Sequence, residues 1–220
     1  TLLNTFVLSM LVGVGQLFVS CLGGYGFARF KFPGKNLIFA LSMMTLMIPP
    51  QTMFIPLFLT FRNFGIGAAS INLLNTYAPF IILAATGVGL RCSLYIYLMR
   101  QFFRGLPKEL EEAAYIDGAG TLRTFFLIII PNALNMMLTV FLFSFTWQWT
   151  ETFYTGLFLP NFKILANSVS MLGVLSKDDP IIISTLTNVG CLLIVIPLVI
   201  LYLFTQRFFV QSMERSGIVG

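Results

Sequence analysis

Long uncharged stretches alternate with short charged ones along this chain. No Asp, Glu, Lys or Arg occurs over residues 1–28, 36–61, 63–90, 124–150 and 181–206. A helix crossing the hydrocarbon core of a bilayer needs about 20 mostly apolar residues. Each stretch is therefore long enough for one crossing with its flanks, and none is long enough for two. Strands of a membrane barrel alternate apolar and polar residues over about ten positions, and these runs do not alternate. The pattern predicts an all-α, polytopic transmembrane helix bundle, with spans near 2–22, 37–60, 75–98, 132–150 and 183–205. Pro49, Pro50 and Pro56 fall in the second span, Pro79 in the third, Pro131 at the start of the fourth and Pro197 in the fifth. Prolines inside a bundle are tolerated where neighbours or a water-filled cavity satisfy the freed carbonyls.

Composition agrees. The 220 residues are 57% hydrophobic and 10% charged, against about 25% charged in an ordinary soluble domain, and the mean hydropathy is +0.90. A soluble fold of this size has too much surface for its volume to hide that many apolar side chains. There is no histidine, so a histidine base or metal ligand is excluded. Cys21, Cys92 and Cys191 are far apart and lack CxxC spacing, which reads as three packing residues rather than a metal site or disulfide frame.

The net charge of +5 acts here as an orientation signal rather than as a nucleic-acid footprint. Spans alternate in direction, so the loops fall into two sets. One carries Arg29, Lys31, Lys35, Arg100, Arg104, Lys108, Arg123, Arg207 and Arg215; the other carries Arg62, Lys163 and Lys177. The first set is expected in the cytoplasm, with the C-terminus inside and Thr1 outside. A further span before Thr1 would bring both ends inside, and a sixth, N-terminal span is expected on that ground.

The richest loop lies between the third and fourth spans, over residues 100–131. It holds Glu109, Glu111, Glu112 and Asp117. Pro107 suits the start of a helix, and the acids after it suit the helix's positive end. Leu106, Leu110, Ala113, Ala114 and Ile116 predict a short amphipathic face. Gly118 and Gly120 supply a stop and a turn, and a second helix begins near Thr121. Such a helix–turn–helix either lies on lipid or lets a protein approach closely over its small residues. Acids in the first turn argue against anionic lipid.

The run Glu112-Ala113-Ala114, three residues, Gly118, nine residues, Ile128-Ile129-Ile130-Pro131 resembles the EAA loop of ATP-binding-cassette importer permeases, with Ile130 in place of Leu. Gly24-Tyr25-Gly26-Phe27-Ala28-Arg29-Phe30, Met47-Ile48-Pro49-Pro50-Gln51, Leu98-Met99-Arg100-Gln101-Phe102-Phe103 and Gln206-Arg207-Phe208-Phe209-Val210-Gln211 resemble carbohydrate permeases of the maltose-transporter type. Trp149-Thr150-Glu151 stands where that branch usually has Trp-Asn-Asp. The resemblance implies a single permease domain over 1–220 and a cytoplasmic coupling loop over 100–131. It also implies an external loop over 152–180 facing a binding protein, and a cytoplasmic tail over 206–220. It implies a second homologous permease, two cytoplasmic ATPase subunits that bind the ATP and magnesium, an external solute-binding protein, and a bacterial or archaeal cytoplasmic membrane. The chain itself has no GxxxxGK[ST] phosphate loop, so no cofactor, metal or catalytic residue is expected in it.

With the resemblance, Glu112, Ala113, Ala114, Asp117, Gly118, Ile128 and Pro131 become the ATPase-coupling residues: the charges meet Arg or Lys on the partner, and the small residues permit contact. Arg91 is a cation inside a span, which marks either a solute path or a snorkelling or helix-pairing arginine. Trp149 and Glu151 are path candidates, since aromatic rings stack on sugars and carboxylates accept from hydroxyls. Trp147 reads either so or as part of an interfacial aromatic belt. Asn188 bonds either solute or another helix. Residues 164–175 are mildly amphipathic and suggest a surface helix. The function expected is import of sugars. Amino-acid or peptide import shares the coupling motif. A secondary transporter would be expected to show intramembrane acids and an internal repeat.

Overall fold

The computed structural model describes residues 1–65, 70–89, 91–175 and 180–217. Among them the chain is a helix bundle with no strand; the sole β contact is an isolated bridge between Phe64 and Ile71. The first helix, α1 (Leu2–Arg29), runs past the expected span. Next comes a bent pair: α2 (Lys35–Met44) extends through a 3-10 turn to Met47, and a second 3-10 turn leads into α3 (Phe54–Arg62). Then follow α4 (Ala78–Ala85), α5 (Cys92–Gly105) and α6 (Glu109–Ile116). A long helix, α7 (Thr121–Trp149), precedes the short α8 (Phe153–Phe158), α9 (Leu165–Leu175) and the final α10 (Pro180–Gly217).

Two of the five expected spans are not continuous helices. The stretch 37–60 turns by 98° between Met47 and Pro50. Pro49 and Pro50 carry no amide hydrogen, so the ladder has no donors to continue with. Just past the bend, the Pro50 carbonyl accepts from the Tyr154 hydroxyl at 2.9 Å. The stretch 75–98 breaks after Ala85, where Gly87 and Arg91 take positive φ (74° and 61°). Among the described residues, only α1, α7 and the 180–206 part of α10 are single helices long and apolar enough to cross a bilayer.

The centre of the bundle is α1, packed on α5 and α7. Gly24 makes this possible: a Cβ there would lie 2.6 Å from Met99 Cβ and 2.9 Å from the Arg100 amide, so only glycine lets α5 come so near. Association of helices in lipid relies on such close packing and on polar contacts, because lipid tails are as apolar as leucine. The polar contacts are present. Buried Gln16 of α1 accepts from Ser144 of α7. Ser20 meets Cys92 at 3.8 Å, and Thr45 meets Ser93 at 2.8 Å. Cys21 and Cys92 pack in the interior as expected, whereas Cys191 is exposed.

The helix expected over 164–175 is present as Leu165–Leu175, and its first turns pack into the bundle. Ile164, Leu165, Ala166 and Val169 are buried, and the Leu165 amide donates to the Thr5 hydroxyl of α1 at 2.9 Å. Its apolar face is turned inward, onto Phe145 and Trp149 of α7. α10 leans on the same cluster through Ile194, Leu198 and Leu201, yet only 6% of its apolar window is buried. The tail expected from Gln206 continues as helix to Gly217; Lys177 and residues 218–220 lie outside the described residues.

Candidate functional site

The charged loop folds as α6, a turn at Gly118 (φ 78°) and the first turns of α7. Gly118 needs its left-handed backbone, which costs an ordinary L-residue about 1–2 kcal/mol. A Cβ there would meet nothing within 4 Å, so the position is open on the side a side chain would leave. A π-helical turn over Phe125–Ile129 joins this start to the rest of α7. Pro131, which has no amide hydrogen, follows directly, and Ile128 is half-buried within the wide turn. The motif thus sits at the foot of a 29-residue helix, about 43 Å long at 1.5 Å per residue.

The orientation of α6 differs from the amphipathic face expected. Ala114 points inward at 5% exposure, and its inward companion is the carboxylate Glu111. Glu112, Ala113, Asp117 and Gly118 are exposed. So is Ile116, at 86%, with Leu122 beside the turn at 73%. The outward face is therefore an apolar knob flanked by two carboxylates. Successive residues of a helix point about 100° apart, so neighbouring Glu111 and Glu112 face different surroundings, one buried and one exposed.

Glu111 is held from α1. The Arg29 guanidinium places Nε 3.4 Å from Glu111 Oε1 and donates from Nη2 to the Leu106 carbonyl at 2.7 Å. Around it lie Tyr25, Phe103 and Phe125, with ring centroids 5.7 and 4.7 Å from that of Tyr25. Neither Arg29 nor Glu111 stands out in sequence, since each reads as one charge among several near a membrane surface.

The four expected path residues fall in separate surroundings. Arg91 caps the start of α5 with its guanidinium 3.4 Å from the centre of the Trp147 ring; both side chains are exposed. Trp147, ambiguous in sequence, is thus the partner of Arg91. Trp149, expected along a path, is instead 1% exposed. It stacks on Phe145 at 5.6 Å, and its indole N–H donates to the Ile194 carbonyl. Glu151 is a helix cap: Oε1 and Oε2 accept from the Tyr154 and Thr155 amides at 2.9 and 2.8 Å. Burial pushes its carboxyl above the ordinary value, although those amide bonds favour the charged form. Asn188 is exposed on α10. Near it a hollow of about 420 Å³, lined by Thr150, Thr152, Thr187, Cys191 and apolar neighbours, opens between α7, α9 and α10. Among the described residues no His, Cys, Asp and Glu cluster suits a metal.

A helical membrane bundle with a small-residue helix–turn–helix at the foot of a long apolar helix is the architecture of a transporter subunit. Residues 4–215 match the family of binding-protein-dependent transport system inner membrane components, and the chain belongs to that family. It is 30% identical over 211 residues to a probable ABC transporter permease of Pyrococcus horikoshii, covering 96% of this chain and 72% of that one. It is 30% identical over 218 residues to the sn-glycerol-3-phosphate transport system permease UgpE of Yersinia pestis, covering 98% and 72%. The probable ABC transporter permease YurM of Bacillus subtilis is 28% identical over 221 residues, covering 99% of this chain and 69% of that one. A solved chain of a bacterial ABC transporter that imports the acidic polysaccharide alginate superposes with a TM-score of 0.74 at 22% identity, over 94% of this chain and 73% of that one. That likeness bears on the fold. This protein is a multi-pass permease subunit of an ABC importer.

Proposed function

We propose that this subunit carries sugars or closely related polyols inward as half of a two-permease path, driven by ATP hydrolysis on separate subunits. The observation that carries the proposal is the exposed face of α6, where Glu112, Ala113, Ile116 and Asp117 surround a glycine turn that this chain leaves uncovered. An exposed apolar knob with charged flanks is the anatomy of a docking patch. The two ATPases close on ATP, the docked helices follow, and the spans rock between inward- and outward-facing states. ATP binds the closed state more tightly, and that difference supplies the bias. ATP and its magnesium belong to the ATPases, and this chain performs no catalysis. The C-terminus and the α6 face are cytoplasmic, and the outer ends of α7 and α9 meet the solute-binding protein.

A sugar-like solute is supported by the names of two similar proteins, one a glycerol-phosphate permease and the other an alginate importer. Arg91 stacked on exposed Trp147 is the place in this chain best suited to touch it, since an indole face suits a sugar ring and a guanidinium binds hydroxyl, carboxylate or phosphate oxygens. Amino-acid import remains the second reading, because the docking loop serves both.

The test is affinity purification from mild detergent of the wild type, Gly118→Asn and Gly118→Trp. Asparagine tolerates the left-handed backbone, and tryptophan puts bulk where a partner must sit. Wild type and Gly118→Asn are expected to bring down an ATPase, a second permease and a binding protein, while Gly118→Trp loses the ATPase alone. Recovery of wild type as a stable homo-oligomer without an ATPase would overturn the proposal. Screening the recovered binding protein against sugars and amino acids separates the two solute classes.

A further inference from the structure

The docking face of α6 is useful only if its movement reaches the spans, and α6 itself is poorly anchored. It has eight residues, of which Glu111 and Ala114 are the buried ones. The turn at Gly118 links it to the start of α7, with the Ala119 amide donating to the Ala114 carbonyl at 2.9 Å. Its tie to the centre of the bundle is through α1, where Arg29 pairs with Glu111 and donates to the Leu106 carbonyl. The two side chains are only 8% and 9% exposed, and the Tyr25 hydroxyl faces the same carboxylate. One guanidinium thus holds the two ends of the short segment Leu106–Glu111, carbonyl at one end and carboxylate at the other.

A buried ion pair adds little net stability compared with a well-packed apolar pair, because both charges lose water. Breaking one partner is expensive, because the other charge stays buried alone. Such a pair therefore fixes a position more than it strengthens a fold. It sits where α1, the centre of the bundle, ends. The guanidinium fork can hold two acceptors in a set geometry, which an ammonium cannot.

We propose that Arg29 and Glu111 are positioning residues that make α6 and α1 move as one body. Through them a push on the outward face enters the α1–α5–α7 core directly, rather than by way of the glycine turn alone. Glu112 faces the partner and Glu111 faces the bundle, so two adjacent carboxylates divide reception and transmission between them. The proposal rests on the docking role given to α6 under the proposed function.

The experiment uses the whole transporter reconstituted in lipid, with wild type, Glu111→Gln, Arg29→Lys and the reversed pair Arg29→Glu with Glu111→Arg. Three quantities are read: subunit assembly, solute moved per ATP hydrolysed, and hydrogen exchange of the 109–116 peptide. Glu111→Gln and Arg29→Lys are expected to assemble, to exchange faster over 109–116, and to move about tenfold less solute per ATP, the size of effect one coupling element carries. The reversed pair is expected to regain part of that ratio. Normal assembly with a wild-type ratio and unchanged exchange in Glu111→Gln would overturn the proposal. If Glu111→Gln does not assemble, Arg29→Lys decides by the same two readings. If wild type itself binds no ATPase, the docking role fails, and exchange over 109–116 in the lone permease then judges the latch. Unaltered exchange in both single variants overturns it.

Discussion

The two ends of α7 each carry a short helix, and the two are attached in opposite ways. At the Trp149 end of α7, α8 buries Tyr154, Thr155, Leu157 and Phe158. Phe158 has no exposed surface and sits edge-on to Phe61 and Phe80. Glu151 caps the helix, and Tyr154 bonds the proline bend. At the other end, α6 buries Glu111 and Ala114, leaves Ile116 bare, and is tied to α1 through the Arg29–Glu111 pair. The cap at the Trp149 end is packed into the bundle, whereas the helix at the Thr121 end leaves Ile116 86% exposed. In the proposed docking role, that bare side chain is what a partner covers.

The contrast is sharpest in a pair of truncations. Phe158→Ala removes a ring from a filled interior and is expected to lower stability by about 3–5 kcal/mol, seen as an early thermal transition in detergent. Ile116→Ala, at 86% exposure, is expected to change the unfolding of the lone permease by about 0.5 kcal/mol or less, while weakening ATPase binding at least severalfold in a pull-down titration. Equal effects of the two on thermal stability would break the comparison, because α6 would then be part of the folded body in the same sense as α8.

A smaller effect belongs to Glu151. Removing both acceptors with Glu151→Ala is expected to cost about 1 kcal/mol, as for other lost helix caps. The carboxyl also titrates. Its burial holds the folded-state pKa above the ordinary value, so between the two values the folded state binds more protons than the unfolded one. Stability from this group is then fully present below the ordinary carboxylate value, about 4.3, and is lost as pH rises through the raised one. Thermal midpoints measured across that window are expected to fall with rising pH in wild type, with the slope reduced in Glu151→Gln. A slope unchanged by Glu151→Gln would show that the cap is ionised throughout.

The class of fold was legible because it depends on pattern alone: uncharged stretches of span length and a charged loop between them. So were α6, the Gly118 turn and the helix after it, because capping acids and glycine act locally. What the sequence could not reveal was which way side chains face. The apolar residues of 106–116 suggested one buried face, yet a carboxylate took the inner position because Arg29, far away in sequence, was there to meet it. Likewise Trp149 and Trp147 look equivalent as neighbours two apart. Only the placement of α10 and the break at Arg91 made one a packing residue and the other an exposed platform. The breaks themselves were hinted at by Pro49-Pro50 and by Gly87 and Gly89, but a proline or glycine in a span leaves open whether the chain kinks or turns back.

The smallest expected effect is at Arg91 and Trp147, which compare a functional surface with a structural one inside the same few residues. An exposed cation–π pair is worth about 0.5–1 kcal/mol, so Trp147→Leu is expected to lower the thermal midpoint only slightly. Trp149→Leu, which loses both its stack on Phe145 and its bond to the Ile194 carbonyl, is expected to lower it several times more. Transport reverses the order if the exposed platform touches solute. Trp147→Leu is then expected to raise the half-saturating concentration of binding protein loaded with solute, at unchanged ATPase assembly, and Arg91→Gln is expected to do the same. A cation in the span needs a compensating group. Should Trp147→Leu leave transport untouched while Arg91→Gln abolishes assembly with the second permease, the group compensating Arg91 is an acid on that partner, and the solute path lies on another face of the bundle.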